Sequence, residues 1–302
     1  MRKKALILFL FLVVASCKKE EQLLREPPRD VGEQAIVDNN AIIDYLRNHT
    51  YNYEVFQENN IPHYTSIKID SISADNQEKT PLIDLVEKRQ IDVRTIEGNV
   101  VPHTLYYLVT REGSGAHPAA VDSTFVVYEG SLINGTVFDQ IQTPIWFDLL
   151  RSIRGFREGM TVLKAGTYTV NTDNTVNYKD FGQGVFFIPS GMGYFSSSQG
   201  NIPAYSPLIF KVSLYTMNES DHDFDGILTK NEYDNDNDGI PDDSDEDGMS
   251  NWEEYNSIAP EYSETNSNRS SPQWYVTTVG TGFTLQQWSG ITNTESFGSF
   301  IN

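Results

Sequence analysis

Acidic residues recur at every second position in the C-terminal third of this chain, and each run carries a glycine at its sixth position. Oxygen ligands at positions 1, 3, 5, 7, 9 and 12, with glycine at position 6 for the sharp bend, are the pattern of a calcium-binding loop. The first run places these ligands at Asp221, Asp223, Asp225, Ile227, Thr229 and Glu232. The spacing therefore predicts a structural calcium site.

Two further runs repeat the same register and overlap. The second comprises Asp234, Asp236, Asp238, Ile240, Asp242 and Asp245, and the third comprises Asp243, Asp245, Asp247, Met249, Asn251 and Glu254. Because Asp234 follows Glu232 directly after Tyr233, no helix can separate these loops, which argues against a paired helix–loop–helix. The overlap resembles the thrombospondin type 3 calcium ribbon, in which acids bridge successive ions. The alternative interpretation is a disordered acidic linker.

The charge of this segment makes its order depend on metal. Residues 219–257 hold fifteen acidic residues and one lysine, a net charge of −14. Without metal we expect self-repulsion to unfold the segment, and with millimolar calcium we expect a stiff spacer or attachment element. His222 within it is expected to be solvated rather than a ligand.

Aromatic residues and glycines form five short blocks in the central part of the chain. They cover residues 125–130, 134–139, 147–160, 188–194 and 202–210. Asn134-Gly135 is the favoured dipeptide of a two-residue hairpin. Residues 147–156 predict a short amphipathic helix that ends at Gly155 and Gly159. Alternation from Leu208 to Leu214 predicts a last strand that buries one face.

In this order the blocks resemble the FKBP-type peptidyl-prolyl cis-trans isomerases. The resemblance implies an antiparallel half-barrel sheet wrapped around one short helix. It also implies an apolar pocket with Phe156 as its floor, Asp139 as the polar group of its wall, and hydrogen-bond donors at the Tyr194 hydroxyl and the Ile153 amide. The remaining pocket residues that it implies are Tyr128, Phe138, Phe147, Ile202 and Phe210.

Such a pocket requires little chemistry from its side chains. Rotation about a prolyl bond faces a barrier of about 18–20 kcal/mol that arises from amide resonance. An apolar cradle that desolvates the imide and fits its twisted form lowers that barrier by differential binding. We therefore predict no cofactor for catalysis, and calcium in a structural role only.

Three departures from the family pattern bear on activity. Ile145 stands where many relatives carry a second aromatic residue of the wall, and Phe195 replaces a common glycine after Tyr194. Residues 167–185 are longer than usual and predict an extra hairpin near the pocket mouth.

The N-terminus has the pattern of an export signal. Arg2, Lys3 and Lys4 precede an apolar run over residues 5–15, and Ala15-Ser16 precede Cys17, the sole cysteine. This pattern resembles a bacterial lipobox, which predicts a signal peptide over residues 1–16 and a lipidated Cys17 that anchors the protein to a membrane. The alternative is an uncleaved anchor helix. With one cysteine, no internal disulfide is possible.

The remaining boundaries divide an α+β chain. We predict a tether over residues 17–30, a helical or mixed accessory region over 31–100, and the isomerase domain over 101–217. The calcium-binding ribbon occupies residues 219–257, and a polar tail without a readable mechanism occupies 258–302. In the accessory region, helical spacing over residues 32–49 follows Asp30 as a possible cap.

Together these patterns predict an exported isomerase that acts on proline-containing unfolded or exported polypeptides. The net charge of −20 argues against nucleic acid as a partner. The chain is similar to FKBP-type lipoproteins associated with gliding motility, which implies the outer membrane, at its periplasmic face or at the cell surface. The rival hypothesis is a non-catalytic, calcium-stiffened surface module that binds peptides on the same scaffold. Oligomeric state and client proteins are not encoded in these patterns.

Overall fold

The computed structural model describes residues 27–57, 64–235, 240–244, 246 and 249–254, together with the backbone of two strands over 273–279 and 282–288. The predicted signal peptide, Cys17 and most of the tether lie outside the described residues. Within the described ranges, no helix is both long and apolar enough to cross a bilayer.

The first element is helix α1, Val31–Asn48, which agrees with the predicted helix to within one residue. Asp30 caps it, because its side chain accepts a hydrogen bond of 2.8 Å from the Glu33 amide. Ile42 and Leu46 lie on its buried face. Two short strands follow, β1 (His49–Tyr51) and β2 (Ile69–Ser71), and pair antiparallel.

Ten more strands follow in the chain. They are β3 (Glu87–Arg94), β4 (Val100–Arg111), β5 (Ser123–Leu132), β6 (Val137–Asp148), β7 (Thr167–Val170), β8 (Val176–Lys179), β9 (Gly182–Ile188), β10 (Leu208–Asn218), β11 (Gln273–Val279) and β12 (Gly282–Trp288). Six of them form one antiparallel sheet in the order β3-β4-β9-β10-β5-β6. Strand β3, from the predicted accessory region, is thus an edge strand of the central sheet.

Both faces of this sheet are covered. Phe186, Ile188 and Phe210 belong to a core cluster on one face, which also contains Phe156. Phe187 and Ile209 belong to a second cluster on the opposite face, with Ile42 and Leu46 of α1. The prediction that the last strand buries one face was therefore wrong, because α1 covers the face that a simple sheet-and-helix domain would leave to solvent.

The short helix of the central domain is α2, Arg154–Met160, and the predicted helix over 147–156 was wrong. Phe147 and Asp148 end β6, where they pair with Thr124 and Ser123 of β5. Tertiary pairing thus overrides the helical pattern there. A single 3-10 turn, Leu149–Arg151, then leads towards α2. With this correction, the predicted α+β class, an antiparallel sheet packed around one short helix, is confirmed.

The glycines that were expected to end the helix lie inside it and face the sheet. A Cβ atom on Gly155 would lie 2.1 Å from Ile188 Cγ2, and one on Gly159 would lie 2.6 Å from the Phe186 ring. Glycine therefore lets α2 lie directly against β9.

Strands β7 and β8 form the extra hairpin predicted within residues 167–185. Its position differs from the prediction of a place near the pocket mouth, since none of its residues lines the pocket. Tyr178 packs on Phe125 and Tyr215, with ring centroids 5.4 and 5.6 Å away. Tyr215 lies five residues along β10 from the pocket residue Phe210.

The contact between α2 and β9 yields a stability prediction. Gly155→Ala should lower the free energy of unfolding by about 1–3 kcal/mol, because the added methyl group collides with Ile188. Urea unfolding of Gly155→Ala, Ile188→Ala and the double variant measures this effect. The double variant should lose less stability than the sum of the single losses, and strict additivity would contradict the proposed close approach.

Candidate active site

A pocket of about 570 Å³ opens between α2, strands β5, β6 and β10, and the loop that precedes β10. Every predicted pocket residue lines it: Tyr128, Phe138, Asp139, Phe147, Ile153, Phe156, Tyr194, Ile202 and Phe210. The structure adds Arg151, Ser152, Gln199, Gly200 and Asn201, which the sequence reasoning missed. Each of these lies within three residues of a predicted pocket residue in the sequence. That proximity was the only feature of the sequence that could have identified them.

Phe156 forms the floor, as the family resemblance implied. Its side chain is 2% exposed. The ring centroids of Phe210, Phe147 and Tyr128 lie 5.1, 5.5 and 6.0 Å from that of Phe156, mostly in edge-to-face or tilted arrangements that aromatic rings favour. The floor is thus a rigid apolar surface.

One wall depends on a glycine of β5. Phe138 packs edge-on against Phe210, with centroids 5.6 Å apart. A Cβ atom on Gly130 would lie 2.6 Å from the Phe138 ring and 3.0 Å from Phe210. Gly130 therefore gives the two rings the room to meet across the strand.

Asp139 and Tyr128 form the polar part of the wall. The Tyr128 hydroxyl donates a hydrogen bond of 2.6 Å to Asp139 Oδ2. Burial and the neighbouring carboxylate raise the pKa of Tyr128 well above its usual range. Tyr128 thus stays protonated, and its bond fixes the carboxylate of the largely exposed Asp139 at the pocket edge.

Two donors predicted to bind a substrate carbonyl are open in the described part of the chain. The Ile153 amide precedes α2, whose first amides bond to the Ile153 carbonyl instead. Neither the Ile153 N–H nor the Tyr194 hydroxyl donates to another group among the described residues. Both residues line the pocket, so either donor can bind a carbonyl placed there.

The loop that carries Tyr194 has strained backbone. Phe195 has a φ of 44° and Tyr205 a φ of 60°, both in the left-handed region that non-glycine residues rarely adopt. The φ of Phe195 explains why glycine suits this position in relatives. Here the ring of Phe195 packs edge-on against Tyr205, with centroids 5.2 Å apart. The other departure, Ile145, pairs with Val126 and lies outside the pocket lining.

The first acidic run folds as a tight loop beside this domain. Carboxylate oxygens of Asp221, Asp223 and Asp225 lie within 4.8 Å of one another. Gly226 at position 6 has a φ of 98°, which requires glycine. Glu232 is 5% exposed, and both of its carboxylate oxygens are buried without a hydrogen-bond donor.

The carboxylates of this loop are held close together at an electrostatic cost. Burial, followed by the charges of Asp225 and Asp221, raises the pKa of Glu232 to about 7. Burial and the neighbouring carboxylates also raise the pKa of Asp223 to about 8. Converging carboxylates with a buried bidentate group are the donor set that calcium prefers, so these residues fit the predicted ion.

The three loops share one hydrogen-bond pattern. The amide at position 9 donates to the carbonyl just before position 1: Thr229 to Ser220 (2.8 Å), Asp242 to Tyr233 (2.9 Å) and Asn251 to Asp242 (2.7 Å). The side-chain oxygen at position 9 accepts the amide of position 2: from His222 (3.1 Å), Asn235 (2.8 Å) and Ser244 (2.8 Å) respectively. The backbone thus repeats in the register read from the sequence.

The predicted ligands at position 9 have a different role in the structure. The side-chain oxygens of Thr229, Asp242 and Asn251 each accept the amide of position 2 and so close the loop. The side chains at position 7, Ile227, Ile240 and Met249, are 39–48% exposed, as expected where only the carbonyl would serve as a ligand. Glu254, at position 12 of the third loop, is buried like Glu232. The predicted ligands Asp236, Asp238, Asp245 and Asp247 lie outside the described residues.

The first loop is packed on the domain that holds the pocket. Arg157 of α2 donates a hydrogen bond of 3.1 Å to the Tyr233 hydroxyl, and its guanidinium lies 5.4 Å from the Tyr233 ring centroid. His222 Nε2 lies 3.5 Å from Asp148 Oδ1, and the His222 ring packs edge-on against Trp252. The expectation of a solvated His222 was therefore wrong, since it lies in this interface.

Known proteins resemble the pocket domain. Residues 115–215 match the family model for "FKBP-type peptidyl-prolyl cis-trans isomerase". The chain is 35% identical over 114 residues to a probable FKBP-type isomerase FkpA of Neisseria meningitidis, covering 36% of each protein. It is 30% identical over 164 residues to FkpA of Aeromonas hydrophila, covering 53% of this chain and 54% of that one. "Outer membrane protein MIP" of Legionella longbeachae is 31% identical over 126 residues, covering 40% of this chain and 47% of that one.

The chain thus spans about a third to a half of the length of the relatives it matches. The match covers strands β5 to β10, helix α2 and the loop that precedes β10, and leaves out α1, β3, β4 and the acidic loops. Its pocket residues stand in the family's order, on the sheet and helix that the family resemblance implied. Residues 115–215 therefore match the FKBP-type peptidyl-prolyl cis-trans isomerases in sequence, and the pocket that they line contains the residues which that resemblance implied.

Proposed function

We propose that this protein accelerates cis–trans isomerisation of X-Pro bonds in unfolded or exported polypeptides at the cell envelope. The proposal rests on one observation. Aromatic rings, two hydrogen-bond donors without a partner among the described residues, and a carboxylate fixed by Tyr128 line the same pocket. Its volume of about 570 Å³ is suited to a prolyl ring with its flanking peptide groups.

The geometry suggests how the barrier is lowered. A prolyl ring on Phe156 would place its imide among Tyr128, Phe147 and Phe210, away from water. Desolvation weakens the planar, charge-separated amide more than the twisted form, in which the carbonyl has lost conjugation. The Ile153 amide and the Tyr194 hydroxyl would then anchor neighbouring carbonyls and hold the substrate in one orientation.

Asp139 would act through its field. Its carboxylate, fixed by Tyr128 at 2.6 Å, would set a negative potential in the pocket. That potential would favour the twisted imide at its carbonyl carbon, which becomes more positive when the nitrogen no longer donates electron density to it. The pocket thus needs no proton transfer and no covalent intermediate. Arg151, Gln199 and Asn201 on the rim would contact the polypeptide on either side of the proline.

The envelope location is supported by the N-terminal pattern and by one relative's name. Lipidation of Cys17 would hold the domain at a membrane, and the relative from Legionella longbeachae is named an outer membrane protein. We therefore infer a lipoprotein of the outer membrane, at its periplasmic face or the cell surface. The finer assignment to the gliding-motility type stays a prediction from sequence.

An isomerisation assay on the soluble chain without its signal peptide tests the enzyme. Tyr194→Phe should lower kcat/KM for a proline tetrapeptide about two- to tenfold, the effect of one lost hydrogen bond. Asp139→Val should lower it by about 10- to 100-fold, because the lost group is charged. Tyr168→Phe, on the exposed face of β7, serves as the matched control and should match the wild type.

The same assay separates the two functions. If the wild type binds the peptide but does not accelerate its isomerisation, the result supports the non-catalytic peptide-binding module. If both variants keep the wild-type rate, the result shows that the reaction does not take place in this pocket.

We further propose that the acidic segment binds calcium in a structural role and serves as a stiff spacer. In the first loop, Asp221, Asp223, Asp225 and Glu232 would hold the ion through carboxylates, and Ile227 would offer its carbonyl. The ion would supply positive charge that offsets the mutual repulsion of these groups. The shared hydrogen-bond pattern supports similar sites in the second and third loops.

Glu232→Gln tests the first loop with two opposite readouts. Calorimetric titration should show calcium binding to the soluble chain and its weakening by at least about tenfold in the variant, because the bidentate ligand is lost. In chelator, the variant should unfold at a higher temperature than the wild type, because an unpaired buried charge is removed.

Glu253→Gln, an exposed neighbour at position 11 of the third loop, is the control and should leave both readouts unchanged. No binding heat at millimolar calcium would refute the metal proposal. Equal binding by the wild type and Glu232→Gln would refute the first site.

A further inference from the structure

Helix α1 lies outside the family match, yet it reaches the turn that leads to Tyr194. Asp38 is 1% exposed and projects from α1 onto this turn. Its Oδ2 accepts hydrogen bonds from the Ser190 amide (2.7 Å) and the Ser190 hydroxyl (2.6 Å), and its Oδ1 accepts one from Gln34 Nε2 (2.7 Å). A carboxylate bound by three donors is a strong and directional anchor.

Ser190 transmits this anchor to the two neighbours of Tyr194. The Ser190 carbonyl accepts amides from Gly193 and Phe195, each at 2.9 Å. Asp38 therefore holds the residue whose own carbonyl fixes the backbone on both sides of the Tyr194 side chain. Only two hydrogen bonds separate the Asp38 carboxylate from the residues that flank the pocket residue Tyr194.

Arg29 holds the other end of the same loop. Its guanidinium lies 4.2 Å from the centroid of the Tyr205 ring, and its amide donates to the Tyr205 hydroxyl at 3.1 Å. Tyr205 in turn donates its amide to the Phe195 carbonyl. Arg29 Nη1 also donates to Gln34 Oε1 at 2.8 Å, so the two anchors share Gln34.

The stretch between these anchors forms one side of the pocket. Tyr194, Gln199, Gly200, Asn201 and Ile202 all line it. Phe195 and Tyr205 take left-handed conformations that cost about 1–3 kcal/mol each unless their surroundings impose them. The contacts with residues 29–38 are surroundings of that kind.

We infer that Asp38 and Arg29 are positioning residues, which fix the pocket loop, residues 190–205, and thereby the placement of Tyr194. The expected effect on catalysis rests on the proposed isomerase function, whereas the expected effect on the order of the pocket loop does not. The alternative is that Asp38 only attaches α1 to the domain. Any substitution that weakens the packing of α1 would then change catalysis and loop order as much as a substitution of Asp38 does.

Leu46→Ala provides the matched comparison. Leu46 is fully buried on α1 in the cluster of the opposite sheet face, and it makes no hydrogen bond to the pocket loop. Asp38→Ala and Leu46→Ala both weaken the docking of α1, but only Asp38→Ala releases Ser190. Asp38→Asn keeps an amide oxygen that can accept from Ser190.

The experiment measures kcat/KM for a proline tetrapeptide and amide hydrogen exchange at residues 193–195, in the soluble chain under conditions where urea unfolding shows each variant to be folded. Asp38→Ala and Arg29→Ala should lower kcat/KM about two- to tenfold and no more than Tyr194→Phe does, because a displaced donor no longer matches the substrate. They should also speed exchange at Gly193 and Phe195. Leu46→Ala should leave both readouts near the wild-type values, and Asp38→Asn should recover part of each.

Equal effects of Asp38→Ala and Leu46→Ala on both readouts would overturn the inference, as would unchanged exchange at Gly193 and Phe195 in Asp38→Ala. If the wild type shows no acceleration, the isomerase proposal fails by itself. The exchange measurement then still decides whether Asp38 and Arg29 fix the loop.

Discussion

The close approach of α2 to β9 is the constraint on which the pocket depends. Gly155 and Gly159 present no side chain to the sheet, so Ile188 and Phe186 contact the helix backbone directly. The helix then lies low enough for Phe156 to meet Phe147, Tyr128 and Phe210 at ring-centroid distances of 5.1–6.0 Å. A larger residue at either glycine would lift the helix and separate the floor from its walls.

The second constraint comes from the opposite face of the sheet. Residues of β9 are buried along the whole strand, because Phe186 and Ile188 face the pocket cluster while Val185 and Phe187 face α1. The N-terminal helix therefore contacts both supports of the pocket, namely the far face of the sheet beneath the floor and the Ser190 turn that leads to Tyr194. Only the second contact is directional, because charge-assisted hydrogen bonds fix the turn in one geometry whereas apolar packing does not.

The sequence predicted the pocket residues because the family resemblance places them in chain order. It predicted the register of the acidic loops because ligand spacing and the glycine at position 6 are local features. It misplaced the short helix, since pairing of Phe147 with Thr124 depends on a distant strand. It also could not reveal the contact between Asp38 and Ser190, which are 152 residues apart, or the loop-closing task of Thr229, Asp242 and Asn251, which appears only in three dimensions.

The two ends of the domain are attached at different places around the pocket. Arg29, which packs on Tyr205 of the pocket loop, is twelve residues from Cys17, so a lipid on Cys17 would lie within about 40 Å of that loop even along a fully extended chain. The acidic loops instead contact Arg157 of α2 and Asp148 at the end of β6. With the proposed lipid on Cys17, a polypeptide bound in the pocket would thus lie within reach of the membrane surface, and with the proposed metal the acidic loops would rest on the helix that carries the floor. Both attachments contact elements that shape the pocket, since Arg29 packs on Tyr205 and Tyr233 accepts a hydrogen bond from Arg157.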